Sequence, residues 1–446
     1  MNQHDFTSGN IIKQIWIFSL PIMLTNLLQI SFQFIDSLWV GNLLGANALG
    51  AIAVSGTVIF TILSFIIGVN NAALTILSQQ KGKGNDEGLK SYINAFVVLL
   101  FFLSCLLGVL GFFSSEKILV LLSTPPSMIA DASAYLQINF IGIIFLFGYN
   151  FVSTVLRSLG DSKSPVRYVV IAVILNAILD PLFLYVFKLG IEGAAYATIL
   201  SQGIAFLYGI FDTIKRQLVP FTFPKVPKMN EAQTIMKLGI PSGLQMMVIS
   251  AGVMAIMSVV NSFGDNVVAG FGAAQRLDSL IMLPAMALGT AVNSMAGQNI
   301  GANKWERVHK IAKFGVMFTF GIILVISSIV FFFAESAIRL FIDDKESLLF
   351  GQSYLQLVAF FYPFLGINFI LNGIVRAAGA MFQVLLLNIL SFWLLRYPLS
   401  YLCSQWLGED GIAIGMGISF IVSSVIAFSY YKFGNWDKKE VIHEGS

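Results

Sequence analysis

The chain has 446 residues, of which 57% are hydrophobic and only 11% charged, less than half the charged share of an ordinary soluble domain. A water-soluble protein of this size cannot hide that much apolar surface, so a soluble fold is excluded and a bilayer protein remains. The net charge of +3 fits contact with an anionic membrane face rather than a polyanion such as nucleic acid.

In chain order, apolar stretches of roughly 20 residues or more, each able to cross the hydrocarbon core as a helix, lie at 11–37, 48–72, 91–113, 130–156, 165–187 and 191–211. Six more follow at 235–261, 267–292, 311–333, 350–374, 381–403 and 411–432. No strongly charged segment precedes the first, so it reads as a retained helix rather than a cleaved leader. The two sets of six repeat each other at a spacing of 219 residues. Asn42 and Gly45 return as Asn261 and Gly264, Gln79 and Gly82 as Gln298 and Gly301, Tyr135-Leu136-Gln137 as Tyr354-Leu355-Gln356, and Arg157 and Gly160 as Arg376 and Gly379. Of the 26 basic residues, 20 fall at the termini and in loops after even-numbered spans, against 4 after odd-numbered spans. Basic residues stay on the cytoplasmic side, which predicts both termini inside and a parallel repeat about an axis along the membrane normal.

The predicted fold is therefore all-α and integral to the membrane, with twelve transmembrane helices in two six-helix bundles. Residues 1–211 form the first lobe and 235–432 the second. A basic, proline-bearing cytoplasmic linker at 212–234 joins them, and 433–446 is a cytoplasmic tail. Cys105 and Cys403 fall within spans and offer no disulfide framework or metal-ligand spacing. No phosphate-binding loop, nucleophile elbow or zinc-protease pattern is present, so neither ATP-driven transport nor hydrolysis is indicated.

An ionisable side chain in the hydrocarbon zone costs at least about 2.5–3.5 kcal/mol, so each one asks for a reason. Asn26, Gln29, Gln33 and Asp36 fall within about 80° of one another on the first helix. This polar stripe faces the bundle interior or a water-filled cavity, either as an interhelical hydrogen-bond seam or around a carboxylate that exchanges protons or ions. Pro21 lacks an N–H and can kink the helix several turns before the stripe. Asp180 lies in Asn176-Ala177-Ile178-Leu179-Asp180-Pro181 of the fifth span, with Asn176 one turn earlier on the same face. Both spans run outward, so the two acids come to comparable depth, and the sixth span brings Thr198, Ser201 and Gln202 down from that end. Two carboxylates in one low-dielectric lobe resist carrying two charges together, which suits a site loaded and unloaded with a proton. A satisfied Asp180 capped by Asn176 is the plainer alternative. Tyr135 and Tyr149 are further candidates for the same cavity. The second half does not repeat these acids, since Tyr397 stands opposite Asp180. There Asp278 and Arg396 come to similar depth and are expected to form a structural charge pair, with a coupling role as the alternative.

These residues resemble the multidrug and toxic compound extrusion (MATE) transporters, and within them the DinF-like branch. The resemblance covers essentially the whole chain. It rests on Leu20-Pro21, on Asp36-Ser37-Leu38-Trp39-Val40-Gly41 with Leu49-Gly50-Ala51, and on Gln79-Gln80-Lys81-Gly82. Gln298-Asn299-Ile300-Gly301, Arg376-Ala377-Ala378-Gly379 and the Asn176–Pro181 motif complete it. The major facilitator layout is similar, but its basic Gly-Asp-Arg loop is replaced here by Lys81-Gly82-Lys83-Gly84-Asn85. The resemblance implies a V-shaped pair of bundles that exports amphipathic, often cationic compounds in exchange for H⁺ or Na⁺. It also implies that Asp36 and Asp180 are protonated in the cycle, that Asn176 and Thr198 share their cavity, and that Pro21 is where the first helix bends. Sodium-coupled members carry a seventh-helix glutamate where this chain reads Val248-Ile249, which weakens a sodium site in the second lobe. Sodium at Asp36 and Asp180 themselves is the alternative to protons.

The expectation is a drug antiporter of the bacterial cytoplasmic membrane, probing small amphipathic or cationic compounds, with no cofactor beyond its coupling ion and working as a monomer. A lipid-linked oligosaccharide flippase would favour more basic residues in the central cavity than Arg276 and Arg396. A membrane enzyme acting on lipid would need a nucleophile–base pair or a metal cluster, and neither is found. A non-transporting scaffold would leave the two acids unexplained.

Overall fold

The computed structural model describes residues 4–437, apart from Asp343 and the side chains of Gln33 and Ala46. The first half runs through α1 (Ile11–Leu44), α2 (Ala46–Lys83), α3 (Asp86–Leu121), α4 (Pro126–Ile141), α5 (Ile143–Ser158), α6 (Lys163–Pro181) and α7 (Ile191–Lys215). The second half runs through α8 (Met229–Asn261), α9 (Asp265–Gly301), α10 (Trp305–Arg339), α11 (Lys345–Ala359) and α12 (Tyr362–Ala377). It continues with α13 (Met381–Ile389), α14 (Tyr397–Leu407) and α15 (Asp410–Phe433). Ten of the resulting segments are long and apolar enough to cross a bilayer, and two bent pairs raise the number to twelve.

Each of the twelve sequence-predicted spans has its helix, but four are not simple rods. The fourth breaks between α4 and α5 with a 50° bend, and the tenth breaks between α11 and α12 with a 54° bend. The fifth ends in a π-helical turn at Leu182–Val186 directly after Pro181. The eleventh contains one at Leu390–Arg396, just before Pro398. Proline removes an amide donor from the helical ladder, and a shift to wider hydrogen bonding beside it is one way to absorb that loss. By contrast α1 continues unbroken through Pro21, and the Thr25 hydroxyl donates to the Pro21 carbonyl at 2.8 Å.

The repeat seen in the sequence is a repeat of backbone need. Gly45 and Gly264 join consecutive spans with φ of +88° and +95°, and Gly160 and Gly379 sit at +87° and +83°. A side chain strains this left-handed region, so glycine returns at both places. The helix linking the halves ends at Lys215 and the next begins at Met229, so the intervening stretch is shorter than the composition implied. Lys225 of that stretch is held on α3, where its amide donates to the Asn94 side chain at 2.8 Å and its carbonyl accepts at 2.9 Å.

Three apolar cores result. One is built mainly from the first half and one from the second. The third joins Phe6, Ile11, Ile15, Phe18 and Ile22 of the first half to α9, α10, α12 and Trp436. Both described chain ends meet in this third core, so both lie at one end of the bundle. Before α1, Asp5 accepts from the Thr7 amide and hydroxyl at 2.8 and 2.7 Å and from Ser8 at 3.3 Å. The Thr7 hydroxyl, before all else, holds the Asp5 carboxyl below its ordinary range and tightens the turn that leads into the first span.

Candidate functional site

Four elements of the first half converge on one buried polar cluster. α1 places Asp36 there, because its lipid-facing side is taken by exposed Leu27, Phe34 and Leu38. Asp36 is 6% exposed, and Asp180 and Asn176 of α6 are fully buried. The Thr198 hydroxyl on α7 lies 3.1 Å from Oδ2 of Asp36 and 3.1 Å from the Ala194 carbonyl, so its single proton can serve either. The Asn176 amide donates to Asp180 Oδ1 at 3.4 Å and to the Thr198 hydroxyl at 3.5 Å. The result is a continuous chain, Asp36–Thr198–Asn176–Asp180, that ties three helices together.

The two carboxyl groups lie within electrostatic range of each other. Oδ1 of Asp36, Oδ2 of Asp180 and Oδ1 of Asn176 are all buried with no partner. Neither acid forms an ion pair. A buried oxygen without a donor is costly, and three of them lie together here. No group of three or more His, Cys, Asp or Glu suited to a resident metal exists among the described residues.

The remaining sequence candidates divide. Tyr135 on α4 is buried within electrostatic range of both acids, and the Asn139 amide one turn later donates to its backbone carbonyl at 2.8 Å. Tyr149 does not join the cluster. Its buried hydroxyl has no hydrogen-bond partner, and its polar surroundings are Arg157 and Gln29. Gln202 is half-buried on α7 and hydrogen-bonds to none of these groups. The Gln33 side chain lies outside the described residues.

In the second half the expected Asp278–Arg396 pair does not form. Asp278 accepts hydrogen bonds from the Tyr354 hydroxyl at 3.0 Å and from the Tyr362 hydroxyl. Arg396 instead stacks over Phe392 at 3.8 Å and Phe420 at 4.7 Å, and its Nε donates to Ser419 at 3.4 Å. Matching depth brought the two charges to one level, but the π-helical turn ending at Arg396 and the tyrosines of α11 and α12 decide where each one points. Two neutral donors and two aromatic faces stabilise separate charges without a direct contact. Tyr354 is the repeat mate of Tyr135, so each half sets a tyrosine beside an acid of its own. Arg276 is exposed and lies 5.6 Å over the Phe341 ring, near an end of the bundle rather than in a cavity. Without a direct bond, but with Tyr354 in electrostatic range of both, Asp278→Asn and Arg396→Met should couple by no more than about 1 kcal/mol in a double-mutant cycle read by thermal unfolding. A coupling of several kcal/mol would mean a hidden ion pair.

Twelve spans in two repeated halves, with an unpaired pair of acids buried in one of them, define a membrane carrier. The chain belongs to the MatE family, the MATE transporters, whose family model matches residues 21–182 and again 241–402. It is 63% identical over 444 residues, covering all of both chains, to the Probable multidrug resistance protein YpnP of Bacillus subtilis (strain 168). It is 30% identical over 437 residues to the Probable multidrug resistance protein YoeA of the same organism, covering 95% of this chain and 94% of that one. A solved structure described as the outward-facing conformation of a multidrug resistance MATE family transporter of the MOP superfamily superposes with a TM-score of 0.91. It is 22% identical and covers 97% of this chain and 98% of that one.

Proposed function

We propose that this protein is a multidrug efflux antiporter of the bacterial cytoplasmic membrane, with both termini cytoplasmic. In this reading it exports amphipathic, cationic compounds in exchange for protons taken up by Asp36 and Asp180. The single observation that carries the reading is the hydrogen-bonded chain from Asp36 to Asp180 with an orphaned oxygen on each carboxylate. With the acids unprotonated, the cluster is negative and holds a cationic compound or its own cation. One proton placed between the two orphaned oxygens satisfies both at once and removes a charge from a low-dielectric lobe. Loss of that charge weakens the grip on the cation, and release follows. The relatives named for multidrug resistance support the substrate class.

Sodium is the second reading, favoured by the same oxygens, since carboxylate and amide oxygens are hard ligands. The test is efflux of a fluorescent cationic dye from proteoliposomes under an imposed ΔpH or an imposed Na⁺ gradient. Efflux driven by ΔpH without Na⁺ is expected. Efflux that needs Na⁺ would move the acids to ion ligation, and no driven efflux of any dye would overturn the antiporter reading.

A further inference from the structure

Beyond the acid cluster, a second set of polar residues joins the two halves, and it obeys the sequence repeat. On α2, Gln79 donates to the Ala377 carbonyl at the end of α12, at 2.6 Å. Its repeat mate Gln298 on α9 donates to the Ser158 carbonyl at the end of α5, at 2.9 Å. Ser158 and Ala377 are themselves 219 apart. Four residues earlier, the Thr75 hydroxyl lies 3.2 Å from the Arg376 carbonyl and 3.1 Å from Asn293 Oδ1, so its single proton serves either acceptor of the second half, and its mate Ser294 donates to the Arg157 carbonyl at 2.8 Å. The glycines follow suit. A Cβ on Gly82 would lie 1.9 Å from the Gln298 carbonyl oxygen, and one on Gly301 would lie 2.0 Å from the Gln79 carbonyl oxygen. The strands of contact therefore cross as mirror pairs around the pseudo-two-fold axis, at the end of the bundle where both termini lie.

The N-terminal segment covers one of the two seams. His4 donates to the Gly160 carbonyl at 3.1 Å, and Phe6 donates to Gln298 Oε1 at 3.2 Å. Asn299 and Arg307 donate to the Phe6 carbonyl, each at 2.9 Å. Away from this end, the side-chain bonding between halves among the described residues reduces to Ser64 with Ser250 at 2.9 Å.

We infer that Gln79, Gln298, Thr75 and Ser294 are the gate of this carrier: they hold its terminus-bearing face shut, and opening to that side requires their four reciprocal bonds to break. Their acceptors are carbonyls at helix ends: those of Ser158 and Ala377 lie past the last intrahelical donor, while those of Arg157 and Arg376 also accept from the Gly160 and Gly379 amides at 3.1 and 2.7 Å, and all four can take water as soon as the halves part. The bonds are thus strong enough to close the seam, yet exchangeable for hydration. A close-packed apolar seam at this place would lose its contacts outright on opening. Reciprocity also keeps the two halves in register, so neither seam opens alone.

The test is labelling of a reporter cysteine at Ser78, which is buried at the seam against Gly297. It is placed in the full chain carrying Cys105→Ser and Cys403→Ser. A membrane-impermeant maleimide is applied to vesicles of each orientation. Gln79→Ala with Gln298→Ala should raise labelling from the terminus-bearing face by about tenfold, as expected for the loss of two net hydrogen bonds. Thr75→Val with Ser294→Ala should act in the same direction. Asn94→Ala, which frees the linker from α3 instead, should leave the rate unchanged. Unchanged labelling in both pairs would overturn the gate, as would a rise equal from the two faces, or one matched by Asn94→Ala, since those describe general loosening. The readout needs neither substrate nor coupling ion, so it can fail while the antiporter reading stands, and the reverse.

Discussion

Asp36→Asn and Asp180→Asn are each expected to reduce gradient-driven dye efflux to the level of protein-free vesicles, with the folded protein intact. Asparagine keeps the size of the side chain and an oxygen that can accept from Thr198 or Asn176, so the chain Asp36–Thr198–Asn176–Asp180 loses no member. What it removes is the ability to gain and lose charge. A neutral amide stands for the protonated acid at all pH values, so the variant is trapped in one half of its cycle. The measurement is efflux in proteoliposomes beside the thermal midpoint of the same samples. Lost efflux with a midpoint moved by less than about 3 °C, the shift of a sub-kcal/mol change in a chain of several hundred residues, locates the effect in function. Retained efflux in either variant would show that acid to be a structural member of the cluster. Thr198→Val should act more mildly, because it removes the bridging hydroxyl and leaves both carboxyls able to titrate.

A large effect on folding is expected at Gly68. It lies where α2 crosses α8, and a Cβ there would come within 2.1 Å of the Ser242 carbonyl oxygen and 2.5 Å of the Gly243 Cα. Those are backbone atoms, so no rotamer change relieves the overlap, and the helices must separate. In lipid, helices associate through close backbone approach at small residues. Gly68→Val should therefore cost about 3 kcal/mol or more and remove most of the monodisperse protein recovered in detergent. Gly56 on the same helix is the control. A Cβ there meets nothing within 4 Å. Gly56→Ala should be neutral, or stabilising by roughly 0.5–1 kcal/mol, because it only restricts the unfolded chain. Fluorescence-detected size exclusion with a thermal ramp separates the two outcomes. A Gly68→Val protein that melts with wild type would mean that α2 and α8 do not cross at this point.

The acid cluster was legible before any fold because polar residues on an apolar helix are few. Asp36 and Asp180 each stood out as a charge in a greasy span, and a period of 3.6 placed Asn176 beside Asp180. Tyr149 lies apart from the acid chain because sequence marks a tyrosine as inside the membrane, not which way it turns. Gln79 and Gln298 were read as markers of the repeat, and only their facing carbonyls show a contact. Asp278 and Arg396 are the instructive failure. Depth along a helix follows from counting residues, whereas the angle around it is shifted by the π-helical turn at Leu390–Arg396.

Sequence by itself determined that this chain lives in a bilayer, crosses it about twelve times, repeats itself once and carries two acids in its first half. Each of those follows from local composition and spacing, which the solvent and the helical period read directly. Tertiary structure alone decided which polar atoms meet. It left three oxygens of the acid cluster unsatisfied, parted Asp278 from Arg396, and closed the halves through Gln79 and Gln298. A hydrogen bond depends on ångström-scale placement of groups far apart in the chain, and no local pattern contains that information.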